Sequence, residues 1–502
     1  MIKKPILFTF AYLSITSVCC GASYYVSPLG SDSNIGDNSN RPFKTFVRAF
    51  SVMSAGDKLI AKDGTYDSRT QPRGFATADC NAGAPNGTSG AHVTVQAENE
   101  RKAFLSTNGD RAFRVSNCTY WDIVGFHILQ GDNASLREDM VQIYNSTNVT
   151  FKRNLLEQNN RGSNQNLSAI LVYLGSNNIR IIENEVYGCY ANCIIVKGNS
   201  SLMQGNYVNG RTARGLEWEA ATRNPGAAFV IYPGSNNVVV NNIAENITYG
   251  IDIEPEGKTV GNIIKGNISF NVSGDVIAVR GNGIDKMARA TLIENHVTMV
   301  RSSSKYVGFR VQSAKSTKIN NITVINNGSD SPYGFLADDP GGCSPAPCGD
   351  GSPELTLTNA LVKGFTGPNA TGIAVRSPYN LTASHLNSYN NRSNYGLATS
   401  ANTAKYVSTD PQLGKCIIWT PHGSPKHGSE AGANILYQYD SRGNPTTARL
   451  WDLTTNQFVS RGAIVEGVND IAGNSLFDVH QRLNVNTNGC KFPDGYASGV
   501  RG

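Results

Sequence analysis

A pattern of four residues recurs along the middle of this chain. In each copy the first and third residues are apolar and the fourth is polar. Ten copies begin at Phe113, Val141, Ile170, Ile194, Phe229, Ile251, Ile277, Phe309, Phe335 and Ile373, at intervals of 22 to 38 residues. Because successive side chains on a β-strand point to opposite faces, each tetrad predicts a strand with one inward and one outward face. Repetition at these intervals predicts a stack of coils in which every coil pairs with the next.

An asparagine recurs at a second place in most coils. Nearly every tetrad is followed by a turn and another apolar run that ends in asparagine, at Asn154, Asn184, Asn206, Asn242, Asn267, Asn295, Asn321 and Asn359. Stacking would place these carboxamides above one another as a ladder of hydrogen bonds. The two patterns together predict an all-β chain folded as a parallel β-helix. A β-propeller would need a longer repeat of antiparallel strands, and a leucine-rich repeat would show its own consensus.

Composition supports this interpretation and limits the partners of the chain. The 502 residues include 51 glycines and only 16% charged residues, which suits a turn-rich β protein. Residues 1–22 have the pattern of a secretory signal, with two lysines, an apolar stretch and a cleavage site near Ala22. Its removal lowers the 44 cationic residues to 42, against 38 acidic residues, which leaves a net charge of +4. This mild excess favours an anionic polymer, whereas no basic cluster indicates nucleic acid.

After cleavage of this signal, we expect the mature chain to be secreted or periplasmic, and we expect it to be a monomer. No later apolar run is long enough to span a membrane. A lipoprotein-type signal at Cys19 or Cys20 is an alternative that fits its motif less well. Eight of the ten cysteines remain after cleavage, and an even number in an exported chain indicates disulfides. The spacings predict the local bonds Cys189–Cys193 and Cys343–Cys348, and Cys416–Cys490 as a C-terminal staple, with a structural zinc site as the alternative.

Residues 23–66 contain an aromatic strand start, a polar loop, the amphipathic stretch Lys44–Met53 and a second strand. This order resembles the N-terminal cap of secreted right-handed parallel β-helix proteins, the pectate-lyase-like superfamily. The resemblance implies that the segment caps the end of the core and that the β-helix spans residues 67–405. Residues 406–502 break the repeat and resemble the C-terminal segments that close the last coil in such solenoids.

The outward positions of the tetrads carry the candidate substrate-binding residues. Adjacent coils lie about 4.8 Å apart, so side chains at equivalent positions form continuous columns. Aromatic faces and planar hydrogen-bonding groups suit sugars, and the columns therefore predict a row of glycan subsites. An alternative is that this is an ordinary solvated sheet face, on which a Glu254–Arg280 ion pair contributes little to stability. The fourth positions include Tyr144, Tyr173, Lys197, Tyr232, Glu254, Arg280 and Gln312, with Asp252 and Arg310 beside them in the second positions. Tyr249 is a further substrate-binding candidate.

Charged residues in the middle of this row favour chemistry on an acidic glycan. β-Elimination of a uronate polymer needs a group that neutralises the carboxylate at C6, a base for the C5 proton and an acid for the leaving oxygen. Arg280 or a calcium ion suits the first role. The candidates for the other two roles are Lys258, Lys197, Tyr232 and Tyr249, if burial or cationic neighbours lower their pKa.

The stretch from Asp252 to Arg280 resembles the polysaccharide lyase family of chondroitinase B and related alginate lyases. The resemblance implies that carboxylates on one coil bind calcium, that a lysine just after them is the base, and that an arginine one coil later acts as acid. It assigns calcium to Glu254 and Glu256 with Asp252 adjacent, the base to Lys258 and the acid to Arg280. We therefore expect Lys258, Arg280 and Glu254 as catalytic residues and Asp252, Glu254 and Glu256 as metal ligands.

Three alternatives use the same outward face. Tyr249-Gly250-Ile251-Asp252 resembles the first half of the Tyr-Gly-x-Asp-Pro-His motif of alginate C5-epimerases, but Ile253-Glu254 stands where proline and histidine would be. A glycoside hydrolase is the second alternative, because Asp252 and Glu254 on one strand face would lie about 6.5–7 Å apart, as in an inverting acid–base pair. The loop residues Glu217 and Glu219 would complete such a site. The third alternative is a glycan-binding or adhesion solenoid without catalysis.

Overall fold

Parallel β-strands make up nearly all of the described chain. The computed structural model describes residues 21–72, 75–131, 138–158, 167–189, 191–210, 226–245, 247–254, 259–280, 288–300, 307–326, 330–339, 353–377, 379–397, 406–408, 436–439, 445–452 and 457–463. The predicted signal segment, the loop containing Glu217 and Glu219, and the residues Glu256 and Lys258 lie outside these ranges. The same holds for Cys343, Cys348, Cys416 and Cys490.

The predicted tetrads lie in one parallel sheet, which we call the site sheet. Its registers pair the tetrads position by position, from Phe113 opposite Val141 to Phe335 opposite Ile373. The predicted stacking is therefore confirmed for all ten tetrads. The 12 strands are Ala76–Asp79, Phe113–Ser116, Val141–Tyr144, Ser168–Val172, Asn192–Val196, Ala227–Ile231, Tyr249–Ile253, Ile277–Arg280, Val307–Gln312, Tyr333–Asp338, Thr371–Val375 and Ser393–Leu397.

The other two sides of each coil belong to a second parallel sheet of 22 strands. One side consists of Ser23–Val26, Lys58–Ala61, Val93–Ala97, Thr119–Val124, Thr147–Lys152, Arg180–Ile182, Leu202–Gln204, Val238–Val240 and Ile263–Lys265. The other consists of Gly64–Asp67, Ala103–Thr107, His127–Gln130, Leu155–Gln158, Glu185–Tyr187, Tyr207–Asn209, Ile243–Glu245 and Ile268–Val272. Both sides continue in the long strands Leu292–Val300, Thr317–Asn326, Glu354–Lys363 and Asn380–Tyr389, followed by Tyr406–Val407.

Two small sheets complete the strands of the described ranges. Thr259–Val260 pairs in parallel with Ala288–Arg289. Leu436–Tyr439, Pro445–Asp452 and Gln457–Ala463 form an antiparallel sheet within the predicted C-terminal segment. No helix in the described part of the chain has the length and hydrophobicity needed to cross a membrane.

The core consists of the inward columns of the coils. The first and third residues of every tetrad are buried in one continuous apolar cluster. Burial of each large aliphatic side chain contributes about 1.5–3 kcal/mol, and the repetition of these columns is what holds the coils in register.

The single helix of the described ranges closes the N-terminal end of this core. It spans Phe46–Phe50 within the predicted amphipathic stretch, and the Thr45 side chain accepts a hydrogen bond from the Arg48 backbone N–H at its N-cap. The Phe46 ring packs against Phe113 at 6.1 Å between ring centres, and Phe50 against Trp121 at 5.3 Å. The aromatic residues of the helix therefore cover the first coils.

The asparagine ladder runs through five consecutive coils. Each carboxamide nitrogen donates to the Oδ1 atom of the next asparagine at 3.0 Å, from Asn154 through Asn184, Asn206 and Asn242 to Asn267. The Oδ1 atoms of the later four also accept the backbone N–H of the preceding asparagine, as from Asn184 to Asn206, and the first, Asn154, accepts from Phe126. Because all five are buried, this pairing satisfies polar groups that would otherwise be costly in the core.

The ladder ends earlier than the sequence predicted. His296 occupies the position below Asn267, since their flanking residues are paired in register. Asn321 and Asn359 are not ladder members: they adopt positive φ values of 56° and 52° at the corner one residue before the ladder position. Asparagine tolerates this left-handed conformation, so the residue type recurs there for a different physical reason. The side chain of Asn295 lies outside the description.

Two disulfides lie within the described ranges. Cys189–Cys193 confirms the predicted local bond. Cys80–Cys118 joins neighbouring strands of the stack across 38 residues of sequence. Disulfides persist in oxidising compartments, and these bonds agree with the predicted export.

Candidate active site on the site sheet

Two consecutive residues face the core at the point where a tetrad of the site sheet begins. Ala228 and Phe229 both belong to the main core, as do Val276 and Ile277. The residue before such a pair therefore points outward, and Tyr249 at that position packs on an outward apolar cluster. The outward face thus carries three columns: the leading column, two residues before each tetrad, and the second and fourth columns within the tetrads.

Asp252 lies in the second column at the middle of this face. The sequence placed it on an exposed strand face, whereas the structure leaves only 5% of the residue exposed. Burial raises the pKa of the Asp252 carboxyl to about 7; Arg280 opposes this rise, and Glu254 and Asp275 add to it. A carboxyl with such a pKa exchanges its proton near neutral pH, which general acid–base catalysis requires.

Asp275 joins this site from the leading column of the next coil. Its Oδ1 atom accepts the Val307 backbone N–H at 2.8 Å, which fixes the carboxylate. Its Oδ2 atom lies 3.8 Å from the Arg280 Nη2 atom and 3.5 Å from the Arg310 Nη1 atom. Strict alternation along the strand would turn Asp275 toward the core, so alternation alone does not place it on this face, and it was not among the predicted site residues.

Asp252, Arg280, Asp275 and Arg310 thus form a row of alternating charge across three coils. The Arg280 Nε atom lies 3.4 Å from the Asp252 Oδ1 atom. These contacts, from 3.4 to 3.8 Å, are longer than ordinary hydrogen bonds. Within the described residues, Asp252 Oδ1, Arg280 Nε and Arg310 Nε have no hydrogen-bond partner. The row therefore retains donor and acceptor capacity for a polar ligand.

Among the described residues, four cations on this face lie over tyrosine rings. Tyr144 and Tyr173, at one end of the face, are also in contact, with 5.5 Å between ring centres. The structure therefore brings the predicted tyrosines and cations together in one row, although their roles in binding stay predictions. The distances from cation to ring centre are 5.7 Å for Arg114 and Tyr144, 5.0 Å for Lys197 and Tyr232, 5.2 Å for Arg280 and Tyr249, and 5.2 Å for Arg376 and Tyr333.

A second buried carboxyl lies at the Tyr173 end of the row. The Tyr173 hydroxyl donates to the Asp139 Oδ2 atom at 3.3 Å, and the Ser168 backbone N–H donates to Oδ1 at 2.7 Å. Burial raises the pKa of Asp139 to about 6, and burial together with the Asp139 charge raises the pKa of Tyr173 to about 12. The phenol therefore keeps its proton and acts as a donor at neutral pH.

Glu254 and Gln312 occupy the fourth column as predicted. The Glu254 backbone N–H donates to the Ile231 carbonyl at 3.0 Å, which continues the strand pairing by one residue. Gln312 lies opposite Arg280 in the register of the next coil. Both side chains are half-buried and border the charged row.

Only part of the predicted calcium site can be described, because Glu256 lies outside the described residues, and calcium stays a prediction. Among the described residues, no three His, Cys, Asp or Glu side chains converge as metal ligands. The Asp252 Oδ1 atom lies 3.4 Å from the Arg280 Nε atom, and the guanidinium charge would repel a divalent cation at that oxygen. The proposed chemistry therefore contains no step through calcium.

The model of a family described as right handed beta helix region matches residues 102–298. These coils are a right-handed β-helix. No curated protein sequence shows a significant match to the chain. The wider chain resembles several solved structures of low sequence identity, and at these identities the likeness concerns the fold alone.

Three solved structures are among those that the chain is similar to. A complex of XylC with xylose shares 10% identity, with 79% of this chain and 87% of that chain covered and a TM-score of 0.48. Pectate lyase Pel9A shares 17% identity, with 70% and 79% covered and a TM-score of 0.42. A mannuronic acid specific polysaccharide family 6 lyase from human gut microbiota shares 14%, with 77% and 83% covered and a TM-score of 0.43.

Proposed function

We propose that this protein is a carbohydrate-active enzyme that binds an acidic polysaccharide along the site sheet and cleaves it by β-elimination beside Asp252 and Arg280. One observation carries the proposal: a buried carboxyl with a pKa of about 7 faces a guanidinium in the middle of a row of tyrosine–cation pairs. Perturbed carboxyls in such surroundings are typical of catalytic sites.

The outward row supports an extended and acidic substrate. Tyrosine rings offer flat faces to sugar rings, and the cations above them offer donors to carboxylates. The columns repeat at about 4.8 Å, so a chain lying along the stack would meet a new set of side chains in every coil. Arg280 and Arg310 present donors to one point of that path, because both lie against Asp275.

In the proposed β-elimination, Asp252 and the residues near it have different roles. Arg280 and Arg310 neutralise the C6 carboxylate, which makes the neighbouring C5 proton easier to remove. Lys258, which lies outside the described residues, stays the predicted base that takes this proton. The C4–O bond breaks as the C4=C5 double bond forms, and protonated Asp252 donates its proton to the leaving oxygen. The product is an unsaturated uronate at the new chain end.

A glycoside hydrolase is the second candidate, and the two buried aspartates favour it. Asp252 and Asp275 lie in adjacent coils and contact the same guanidinium. A pair of carboxyls with one raised pKa is the arrangement that acid–base hydrolysis of a glycosidic bond uses. In this reaction one carboxyl protonates the leaving oxygen and the other activates a water molecule, whose hydroxyl is transferred to the anomeric carbon as the glycosidic bond breaks.

Product analysis separates these candidates. The full-length protein is incubated with a panel of polyuronates and neutral polysaccharides, while ultraviolet absorbance of unsaturated uronates and reducing ends are both measured. We expect both signals to rise on one or more polyuronates. Reducing ends without absorbance would establish hydrolysis instead, and binding without either signal would leave only a glycan-binding solenoid.

A further inference from the structure

The tyrosine–arginine pair beside Asp252 occurs a second time on the site sheet. Tyr249-Gly250 begins one strand, and the next strand reads Ile277-Ala278-Val279-Arg280. Three coils on, Tyr333-Gly334 begins a strand, and the next one reads Ile373-Ala374-Val375-Arg376. In both copies the tyrosine lies in the leading column and the arginine in the fourth column of the following coil. The guanidinium carbon lies 5.2 Å from the ring centre in both.

The glycine after each tyrosine is required by the same close packing. A Cβ atom on Gly250 would lie 2.4 Å from the Val276 carbonyl oxygen, and one on Gly334 would lie 2.2 Å from a Val362 methyl carbon. Only glycine fits at either place without displacing the backbone or the core. The two copies are therefore built alike below the surface.

Both tyrosine rings are held by apolar side chains on the outward face. Tyr249 packs against the cluster that contains Ile195 and Val230, and Tyr333 packs against the cluster of Val307, Leu336 and Ala374. The Arg376 guanidinium also donates to the Tyr333 hydroxyl. A ring fixed in this way presents a binding face with little loss of conformational entropy.

Each copy has an acidic residue in the fourth column of the tyrosine's own strand, Glu254 in the first and Asp338 in the second. Asp338 is 9% exposed, and within the described residues its Oδ1 atom has no hydrogen-bond partner. Burial raises the pKa of Asp338, while Arg310 and Arg376 oppose the rise. A buried, unpaired acceptor beside two cations indicates a polar group that a ligand completes.

The copies differ at the second column. The first has Asp252 there, and the second has Leu336 at the equivalent place in the register. We propose that Tyr333, Arg376 and Asp338 form a second binding subsite, or seat, for an acidic unit of the same polysaccharide. This second seat holds the chain without reacting with it, and the first seat is the copy formed by Tyr249, Arg280 and Glu254. This inference rests on the acidic substrate of the proposed function.

The spacing predicts which ligands use both seats. Three coils separate them by about 14 Å. An oligouronate shorter than this distance can occupy one seat at a time, whereas a longer one reaches both, and its second contact becomes intramolecular. Affinity should therefore rise steeply once the oligomer is long enough to span the two seats.

The test measures affinity by calorimetry in full-length protein that carries Asp252→Asn, so that no ligand is consumed. The probes are a size series of oligouronates of the best-binding type. We expect Arg376→Ala to weaken binding of the spanning oligomers about 10-fold or more, since it removes a charge-assisted contact, and to leave the shortest ones nearly unchanged. Lys318→Ala is the matched control, because it removes an exposed cation from the other sheet.

Three results would contradict the second seat. These are an affinity that does not depend on oligomer length, an Arg376→Ala variant that binds as tightly as its parent, and a loss of affinity in Lys318→Ala equal to that in Arg376→Ala. Failure of the enzyme proposal looks different: length-dependent binding through Arg376 would persist in a protein that forms no product. Conversely, the protein could cleave the polysaccharide while Arg376→Ala leaves its affinity unchanged. That result would support the enzyme proposal and contradict the second seat.

Discussion

The Nε atom of Arg280 lies 3.4 Å from the Oδ1 atom of Asp252, and both atoms are shielded from solvent. Burial penalises the ionised carboxyl more than this arginine stabilises it, so the pKa of Asp252 rises to about 7. The pair thus holds a carboxyl that gains or loses its proton near neutral pH, directly beside a fixed cation. This relationship leads to predictions on stability and on catalysis.

The raised pKa predicts that Asp252 makes folding less favourable as pH increases. The ordinary carboxyl pKa of 3.8 applies to the unfolded chain, and about 7 applies to the folded one. Between these values the folded state binds more protons, so the free energy of unfolding falls as pH rises from about 4 to about 7. Asp252→Asn should reduce the change in the free energy of unfolding over this pH range by roughly a few kcal/mol.

Denaturant unfolding at several pH values measures this effect. Asp330→Asn, which changes an exposed aspartate, is the matched control and should keep the wild-type slope. A wild-type slope in Asp252→Asn would show that Asp252 titrates normally in the folded protein, contrary to its buried position.

The asparagine ladder predicts a large cost for removing one of its inner members. Asn206 accepts from the Asn184 backbone and side chain and donates to the Asn242 Oδ1 atom and the Ile181 carbonyl oxygen. Asn206→Ala would leave buried partners unpaired, and we expect a loss of about 3 kcal/mol in the free energy of unfolding.

Thermal or denaturant unfolding checks this cost against Asn81→Ala, which changes an exposed turn residue. Equal stability of the two variants would mean that the ladder contributes nothing beyond its packing.

Calcium chelation should leave turnover unchanged. Arg280 already supplies positive charge at the Asp252 carboxyl, and this charge opposes a divalent cation at the same oxygen. The measurement is the rate of uronate cleavage before and after treatment with a calcium chelator, with restoration by added calcium as the control. If the chelator abolishes activity and added calcium restores it, this prediction is wrong and Glu254 and Glu256 are again the expected calcium ligands.

The sequence predicted most of the scaffold because each inward column repeats a simple apolar pattern. Alternation within the tetrads placed Asp252, Arg280 and Arg310 on one face and in the observed register. It did not place Asp275 there, because two consecutive residues, Val276 and Ile277, face the core where the tetrad begins and shift the alternation by one. It also did not predict the burial of Asp252, since burial of an outward residue depends on what lies over the sheet.

The end of the ladder was missed for a similar reason. Asn321 and Asn359 follow apolar runs as the ladder members do, but they lie one residue earlier in the coil and form its corner. Residue type alone does not separate an asparagine that pairs in the core from one that adopts a left-handed turn.

The initial rate of unsaturated uronate formation in Arg280→Ala tests the central claim most directly. The variant should fold, because an outward side chain contributes little to the core, and circular dichroism with Lys318→Ala as control verifies this. We predict that Arg280→Ala reduces the rate at least about 100-fold while Lys318→Ala retains it. A folded Arg280→Ala protein that forms product at the wild-type rate would contradict a catalytic site at Asp252 and Arg280.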